Sequence, residues 1–550
     1  MCISKFAVSR LVLVGGLLGC CWCGSCAEVD SRSSKDYIGP KTSEPNALSA
    51  HVPEPNAARV ETPGLAPQSL PAGGPLAVTV EQAALMALEN NQSLLVQRLN
   101  PQIERTVEQQ QLAVFDPDLT AQVADVRNQA MTGPTQYRSN GIAGSVGVQE
   151  FLPMGTALGV TGGTGQVALA NDEETYASRV AFNATQSLLR GFGPAVNMAS
   201  VNQARLDVEI SQYELRGFAQ TLLAQVEETY WDYVLSQRQI EIFQQSLELA
   251  QRQLEETQER VRLGDLASSE LPAAEAEVAL RREDLINARS TLAKTKLNLL
   301  RLVNPPGSGR AASGEGFWSR EILAQSRPIN PSIALDEVEP HVALALQMRP
   351  DLNQARLLWQ RDELEIVKTR NGLLPKMDLF VTLGKTGYAG SFGNSVKNIQ
   401  DDNYDASVGL ALEYPPLNRA AQARHLQAVL TRRQQREAID NLAQLVEVDV
   451  RSAYLEIARS QEQVTATAAT RRLQEEKSQS ETEKFRLGKS TSLLVAQAQR
   501  DLVAGQISEV QAVVSCLKAF VELYRLEGSL LDRRGITAPG REAVKLRDTP

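Results

Sequence analysis

The chain has few aromatic side chains, few histidines and almost no cysteine outside its first 26 residues. Aromatic residues account for 5% and hydrophobic residues for 43% of its 550 residues, which is little for several compact cores and favours an elongated protein. Cys516 is the one cysteine of the body, so an internal disulfide framework is excluded there. His51, His341 and His425 are far apart, and neither a Ser/His/Asp pattern nor a metal-ligand spacing is present. These absences predict a protein without enzymatic activity, cofactor or metal ion.

The charge and the hydropathy pattern exclude two further classes of protein. A net charge of −9 and a pI near 5.3 leave no basic footprint for nucleic acid, which is excluded as a partner. After residue 19 no run of about 18 apolar residues occurs, so no transmembrane helix is predicted. If the protein crosses a membrane it must use β-strands, because backbone polar groups in lipid have to be satisfied within the structure.

The N-terminus predicts export. Lys5 and Arg10 precede the apolar run LVLVGGLLG at 11–19, which is too short to span a bilayer and has the layout of a secretory signal. The segment Leu17-Leu18-Gly19-Cys20 resembles a bacterial lipobox, in which Cys20 becomes the lipidated first residue. The alternative is an ordinary signal that is cleaved among the nearby cysteines. Residues 1–26 are therefore interpreted as a leader, and residues 27–75, which are rich in Pro, Ser, Ala and Gly, as a disordered tether.

One short stretch occurs twice in the chain. The two copies are RVRLGDLASSEL at 260–271 and KFRLGKSTSLLV at 484–495, and their glycines at 264 and 488 lie 224 positions apart. The segments ALENNQSL and ALQMRPDL, which begin at 87 and 345, form a second pair. Such a spacing excludes a solenoid and predicts duplication of a half-protein. The predicted repeats are 76–302 and 339–531, with an equatorial linker at 303–338 and a C-terminal tail at 532–550.

Two-residue periodicity predicts strands in both halves. Apolar and polar side chains alternate over 376–386 and 405–414, and the first half has counterparts at 118–127 and 178–187. Comparison of the matching segments shows that the first half carries about 30 extra residues between 118 and 186. This excess contains the stretch SVGVQEFLPMGTALGVTGG at 145–163, which reads as another hairpin that turns near Pro153 and Gly155. Strands with one polar and one apolar face are typical of a transmembrane β-barrel. A soluble sandwich also has such strands, but this chain has few for its length.

Seven-residue periodicity predicts very long helices. Between about 197 and 263 apolar residues recur every seven positions, beside a row of glutamines at 237, 244, 251 and 258. Either a loosely packed coiled coil with a solvated face or a helix wall beside a water-filled lumen explains this row. Further helices are predicted over 266–302, 340–373, 418–487 and from 489 to 531.

Taken together, and in their duplicated order along the chain, these features make the region of about 79–531 resemble the TolC-like outer-membrane efflux proteins, also called outer membrane factors. The similar stretches are VEQAALMALENNQSL, RPDLNQA, the paired RLG turns and Leu188-Leu189-Arg190-Gly191. The resemblance implies an α+β membrane protein with a long coiled α-helical barrel and a transmembrane antiparallel β-barrel, internally duplicated and trimeric. It implies an outer-membrane channel with a periplasmic extension, serving a tripartite efflux or type I secretion system. The implied partners are a periplasmic adaptor, an inner-membrane pump and outer-membrane lipid. The alternative is a periplasmic adaptor or a structural coiled-coil protein, which would have one helical hairpin.

The resemblance also implies roles at the two RLG turns. They become the periplasmic tips that contact the adaptor, through Arg262, Leu263, Gly264, Arg486, Leu487 and Gly488. The two glycines are expected in the left-handed conformation, which glycine adopts at little cost.

The expected gate departs from that of the family, which has an acid six positions after each tip glycine and a tyrosine and an arginine near the second tip. Glu270 retains the first acid, whereas Phe485, Ser490 and Leu494 replace the other three groups. The charged lock is therefore expected to be absent. Closure would rest on packing together with the candidate gate residues Asp265, Glu270 and Lys489.

Overall fold

The computed structural model describes residues 75–132, 135–168, 174–305, 318–329 and 336–545. The leader, Cys20 and nearly all of the tether lie outside these ranges. No helix within the described ranges is both long enough and apolar enough to cross a bilayer.

The first part of the chain, within the described residues, consists of short helices, five strands and two long helices. The strands are β1 (Leu76–Val78), β2 (Asp118–Thr132), β3 (Thr135–Leu152), β4 (Thr156–Ala168) and β5 (Glu174–Ser187), of which the last four follow one another directly. The helices are α1 (Val80–Asn90), α2 (Gln92–Gln97), α3 (Asn100–Leu112), α4 (Pro194–Asn197), α5 (Ala199–Arg262) and α6 (Leu271–Val303). Thr79 begins α1 with a capping box, since its hydroxyl accepts from the Gln82 amide while the Gln82 side chain accepts from the Thr79 amide.

The second part repeats long helices around a strand pair. Its strands are β6 (Ile322–Ala324), β7 (Lys376–Ala389) and β8 (Tyr404–Glu413). Its helices are α7 (Val338–Met348), α8 (Pro350–Asn371), α9 (Phe392–Lys397), α10 (Arg419–Arg486), α11 (Ser492–Leu526) and α12 (Leu530–Arg533). The helix expected over 340–373 is in fact two, because Pro350 forces Arg349 into an extended conformation with φ −63° and ψ 123°.

The returning helix is also shorter than expected. Instead of reaching 531 it ends at Leu526, where Gly528 adopts φ +74° and the amide of Ser529 donates to the carbonyl of Tyr524 at 3.0 Å. This arrangement is a glycine-terminated helix end.

Two helices dominate the molecule. α5 has 64 residues and α10 has 68, so each is about 100 Å long at the usual rise per residue. α6, α8 and α11 pack along α5, and α7, α8 and α11 pack along α10. Along α5 the seven-residue row is buried at Val226 and Tyr233 and half-buried at Ile240 and beyond, so its far half leaves a face open.

The largest apolar core lies beside the middle of α5. There the two-stranded parallel ribbon of β1 and β6 is held by tyrosines of α5. The hydroxyl of Tyr230 donates to the carbonyl of Val78 at 3.0 Å, and that of Tyr233 donates to the carbonyl of Ile322 at 2.7 Å. The described part of the expected linker thus packs halfway along the long helix.

The last described residues are bound to the helices instead of hanging free. Arg534 forms two hydrogen bonds of 2.7 Å with Glu227 of α5, and the amide of Val544 donates to Asn353 of α8 at 3.0 Å. Arg216, whose side chain is fully buried on α5, pairs with Asp532 at 2.6 Å.

The larger sheet has six antiparallel strands in the order β2-β3-β4-β5-β7-β8. The strands expected at 118–127, 178–187, 376–386 and 405–414 are confirmed. The additional hairpin is confirmed too, with a turn at 153–155 in which Gly155 has φ +88°. Four strands of this sheet come from the first part of the chain and two from the second.

Candidate functional site

The large sheet separates apolar from polar side chains. Because side chains on a strand point alternately to the two faces, the strand register assigns each residue to a face. One row of directly paired residues crosses all six strands and consists of Leu119, Val148, Val160, Phe182, Leu383 and Ala406. The neighbouring row, on the opposite face, consists of Asp118, Gln149, Gly159, Asn183, Thr382 and Ser407. The sheet is therefore a wall with one apolar and one polar side.

The apolar side of this wall is exposed. Leu119 is 73% and Val160 50% accessible, and further large apolar side chains on the same face, such as Val408 and Leu410, are equally open. A continuous apolar face of this extent is unusual in water and marks a surface that meets lipid or another protein. Within the described residues β2 and β8 are the outer strands, each of which pairs on one side only.

The passage from strand to helix closes one end of the sheet. The amide of Leu188 donates to the carbonyl of Met377 at 2.7 Å, and that of Gly191 donates to the Asn371 side chain at 2.8 Å. Gly191 and Gly193 have φ of +87° and +93°, so the quoted LLRG segment turns through conformations that favour glycine.

The two RLG segments end α5 and α10 in the same way. Gly264 has φ +83° and Gly488 has φ +69°, which confirms the left-handed conformation expected for both. The amide of Asp265 donates to the carbonyl of Arg260 at 2.8 Å, and that of Lys489 donates to the carbonyl of Lys484 at 2.8 Å. This six-to-one hydrogen bond is the Schellman termination of a helix.

Both tips present a leucine beside an ion-paired arginine. Leu263 is 66% and Leu487 70% exposed. The neighbouring Arg262 pairs with Glu259, and Arg486 pairs with Glu483 at 2.9 Å, so each arginine is held along its own helix. The tip residues named from the sequence therefore form two similar, partly apolar surfaces.

Residues 151–304 and 342–529 match the family model described as outer membrane efflux protein, and these segments make up more than half of the chain. The chain belongs to the outer membrane efflux protein family. The resemblance inferred from the sequence is confirmed, and with it the outer-membrane location and the function as an efflux channel.

Solved structures of similar fold include other outer-membrane channels. The channel OprN has 16% sequence identity and a TM-score of 0.63, over 82% of this chain and 90% of that one. CmeC of Campylobacter jejuni has 13% identity and a TM-score of 0.62, over 82% and 86%. The open state of MtrE of Neisseria gonorrhoeae has 17% identity and a TM-score of 0.59, over 82% and 89%. Comparison with curated protein sequences gives no match.

In this efflux protein the two tips contact each other through two pairs of residues, and in each pair one member, Arg260 or Ser492, was not identified from the sequence. The guanidinium of Arg260 lies over the ring of Phe485, and the hydroxyl of Ser492 donates to the carboxylate of Glu270. Phe485 is only 6% exposed, so the residue that replaces the tyrosine of the family is a packing residue. No signal in the sequence pairs Arg260 with a residue 225 positions away.

The candidate gate residues are not brought together into one cluster. Glu270 is half-buried at the contact with Ser492, whereas Asp265 and Lys489 are exposed at the outermost turns. Among the described residues no hydrogen bond or ion pair joins either of them to Glu270. Ser490, in place of the arginine of the family, donates to Glu481 at 2.9 Å.

A groove runs between α5, α6 and α11 just behind the tips. Its volume is about 420 Å³, and small or apolar residues line most of it, among them Ala250, Ala273, Leu280, Leu493 and Ala496. Glu277, in its wall, pairs with the buried Arg281 at 2.6 Å. The groove begins at Ser492 and Leu493, next to the tips, and extends along the helices to Ala250 and Leu280.

Proposed function

We propose that this protein is a passive conduit in which three copies close one channel. In each copy the six-stranded sheet contributes a sector of a transmembrane antiparallel β-barrel. The long helices of two duplicated halves contribute a sector of a coiled α-helical barrel in the periplasm. The observation that carries this proposal is the pair of neighbouring rows, one apolar and one polar, that crosses the whole sheet. Lipid on one side and water on the other is the environment that such a wall requires.

The unpaired outer strands support closure by further copies. A backbone edge in lipid has no water to hydrogen-bond, so β2 and β8 require partners, and the complementary edge of another copy is the simplest one. The half-buried seven-residue row on the far half of α5 likewise fits packing against a neighbouring helix.

The tips fit the binding of a periplasmic adaptor that links this conduit to an inner-membrane pump. Exposed Leu263 and Leu487 supply apolar anchors, and Arg262 and Arg486 supply a polar rim around them. The identical ends of α5 and α10 support a duplicated origin of the two tips. Selection of the substrate and the energy for transport belong to the pump, so neither catalysis nor a cofactor is assigned to this chain.

Two local roles complete the proposal. Asp265, Glu270 and Lys489 line the narrow opening at the tips, and lipid attached to Cys20 adds a second membrane anchor. The mass of the mature N-terminus tests the latter, because an unmodified N-terminus beyond Cys20 contradicts lipidation.

Membrane fractionation with a cross-linker, followed by planar-bilayer recording, tests the conduit. We expect an outer-membrane trimer that conducts ions. Val381→Arg, on the apolar face, should reduce insertion, since arginine at the middle of the lipid face costs about 2–4 kcal/mol. Thr382→Arg, the next residue on the polar face, is the matched control and should insert normally. An inner-membrane or soluble monomer contradicts the proposal and favours an adaptor or a structural coiled coil.

A further inference from the structure

Within the described residues, the hairpin of β3 and β4 has no counterpart in the second part of the chain. There β7 is joined to β8 through α9 and a single 3-10 turn at 398–400, whereas in the first part β2 and β5 are separated by two inserted strands. These strands pair fully within the sheet, β3 with β2 from Asp118 to Thr132, and β4 with β5 from Thr156 to Ala168. We propose, on the basis of the conduit described above, that this hairpin is a lumen-lining part of the barrel wall and that it widens the channel.

The side chains of the hairpin continue the two-faced pattern of its neighbours. Val148 and Val160 lie in the apolar row between Leu119 and Phe182, and Gln149 and Gly159 lie in the polar row. If the hairpin were a flap over the outer surface or a plug inside the lumen, its side chains would not need to continue both the apolar and the polar row of the neighbouring strands. The alternation therefore assigns the hairpin to the wall, with lipid on one side and the lumen on the other.

In the middle of the hairpin, from 143 to 149 and from 159 to 165, the lumen side is uncharged and made mostly of small residues. On β3 this face presents Ser145, Gly147 and Gln149, and on β4 it presents Gly159, Thr161 and Gly163. The face is closely packed, since a Cβ at Gly147 would lie 2.9 Å from Cγ2 of Thr161. Such side chains neither fill the space in front of the strands nor add charge to it.

The turn of the hairpin is tied to the helical part of the molecule. The amide of Gly193 donates to the carbonyl of Met154 at 3.1 Å, and the side chain of Asn197 donates to the carbonyl of Pro153 at 2.9 Å. Any side chain at Gly155 would collide with the carbonyl of Gly191. The turn between the inserted strands thus lies where the other strands of the sheet meet the helices, as is required of strands that belong to the wall.

The strand count then sets the width. Three copies of a 6-stranded sheet close a barrel of eighteen strands, against twelve without the hairpin. Because barrel diameter grows roughly linearly with strand number, the hairpin widens the lumen about 1.5-fold and enlarges its cross-section about twofold. The conduit is therefore suited to bulky solutes, and this added sector does not select them by charge.

Deletion of residues 135–168 tests the inference, because it removes the two strands and leaves β2 beside β5. We expect the single-channel conductance in a planar bilayer to fall by up to about twofold, with the ion selectivity unchanged, when the deletion variant and the parent both carry Phe485→Ala so that the tips do not limit the current. An unchanged or larger conductance in that background overturns the inference, since the hairpin would then lie outside the wall or obstruct the lumen.

Single cysteines decide the matter if the deletion variant fails to insert. A charged, membrane-impermeant thiol reagent should reduce the current through Thr161→Cys and leave that through Val160→Cys unaffected. The parent protein is the control, because it carries the fully buried Cys516 and the same leader cysteines as both variants but neither substitution. A current through Thr161→Cys that does not respond overturns the inference. A parent protein that carries no current contradicts the proposed conduit itself, so the two failures are distinguishable.

Discussion

The guanidinium carbon of Arg260 lies 4.9 Å from the centroid of the Phe485 ring, so a cation near the first tip sits on an aromatic ring of the second. Beside it, Ser492 and Glu270 form a hydrogen bond between the same two tips. A cation over an aromatic face contributes about 0.5–1 kcal/mol at an exposed site and more when it is desolvated. The tips of one chain are thus tied together without the tyrosine and the arginine of the family.

Loss of the Phe485 ring should weaken the contact between the two tips. In Phe485→Ala the tips separate, because Arg260 loses its aromatic partner and the small side chain leaves a void. We expect a higher conductance of the channel without its partners. Phe485→Tyr keeps the ring and is the matched control, which should behave as the parent. Equal currents through all three proteins in bilayer recordings would place the constriction elsewhere.

Charge at the exposed tip leucines should prevent docking. Leu263→Asp combined with Leu487→Asp should leave the folded chain and its oligomeric state intact, since both side chains are largely outside the core. Co-purification with the adaptor and export should both be lost. Leu249→Asp, at another exposed leucine of α5, is the control for a charge placed away from the tips. A double variant that still binds its adaptor and exports normally would show that the adaptor binds another surface.

Glu270 should control selectivity more than closure. Three copies of this carboxylate around a narrow opening attract cations and repel one another, so we expect a cation-selective channel that is partly open without its partners. Glu270→Gln still accepts a hydrogen bond from Ser492 but should lower cation selectivity, measured as the reversal potential in a salt gradient. Ser492→Ala, which retains the charge, is the control. An unchanged reversal potential in Glu270→Gln, or a parent channel that stays fully closed, contradicts this assignment.

The buried ion pair of the C-terminal segment should be a large contribution to stability. The side chain of Arg216 is 0% exposed and that of its partner Asp532 is 24% exposed. Within the described residues, Asp532→Ala leaves the buried Arg216 cation with a hydrogen bond to the carbonyl of Ala538, at 3.3 Å, and without a counter-ion, and should cost about 3 kcal/mol of unfolding free energy. Arg541→Ala removes an exposed partner of the same carboxylate and should cost under about 1 kcal/mol. Denaturation of both variants in detergent checks the difference, and equal losses would refute it.

Glu228 should make stability fall as pH rises. Burial raises the pKa of this carboxyl, nearby Glu522 and Asp232 raise it further, and Lys518 opposes them. The folded chain therefore binds more protons than the unfolded chain between the two pKa values, and stability is lost as pH rises through that interval. Glu228→Gln should raise the melting temperature at pH 7 but not at pH 4. Glu456→Gln is the opposite control, because the hydrogen bond from Arg459 lowers the pKa of Glu456. A pH-independent gain in Glu228→Gln would contradict the account.

Local periodicity was sufficient to predict the long helices and the strands of the larger sheet, but neither the short helices before β2 nor the ribbon of β1 and β6. The strands follow from a two-residue alternation that a single strand already displays, and the tip glycines follow from a helix termination that involves neighbours in sequence. Proline and glycine also end helices at Pro350 and Gly528, where the expected helices were longer.

By itself the sequence determined the long helices, the two-faced strands, the extra hairpin and the repeated tips, because each depends on contacts among residues close together in the chain. Only the tertiary structure decided which distant segments of the chain contact one another. The pairing of β5 with β7, the contact of Arg260 with Phe485 and the binding of Arg216 to Asp532 join residues far apart in sequence. No local pattern encodes such a pair, since its geometry arises from the packing of whole helices and strands against one another.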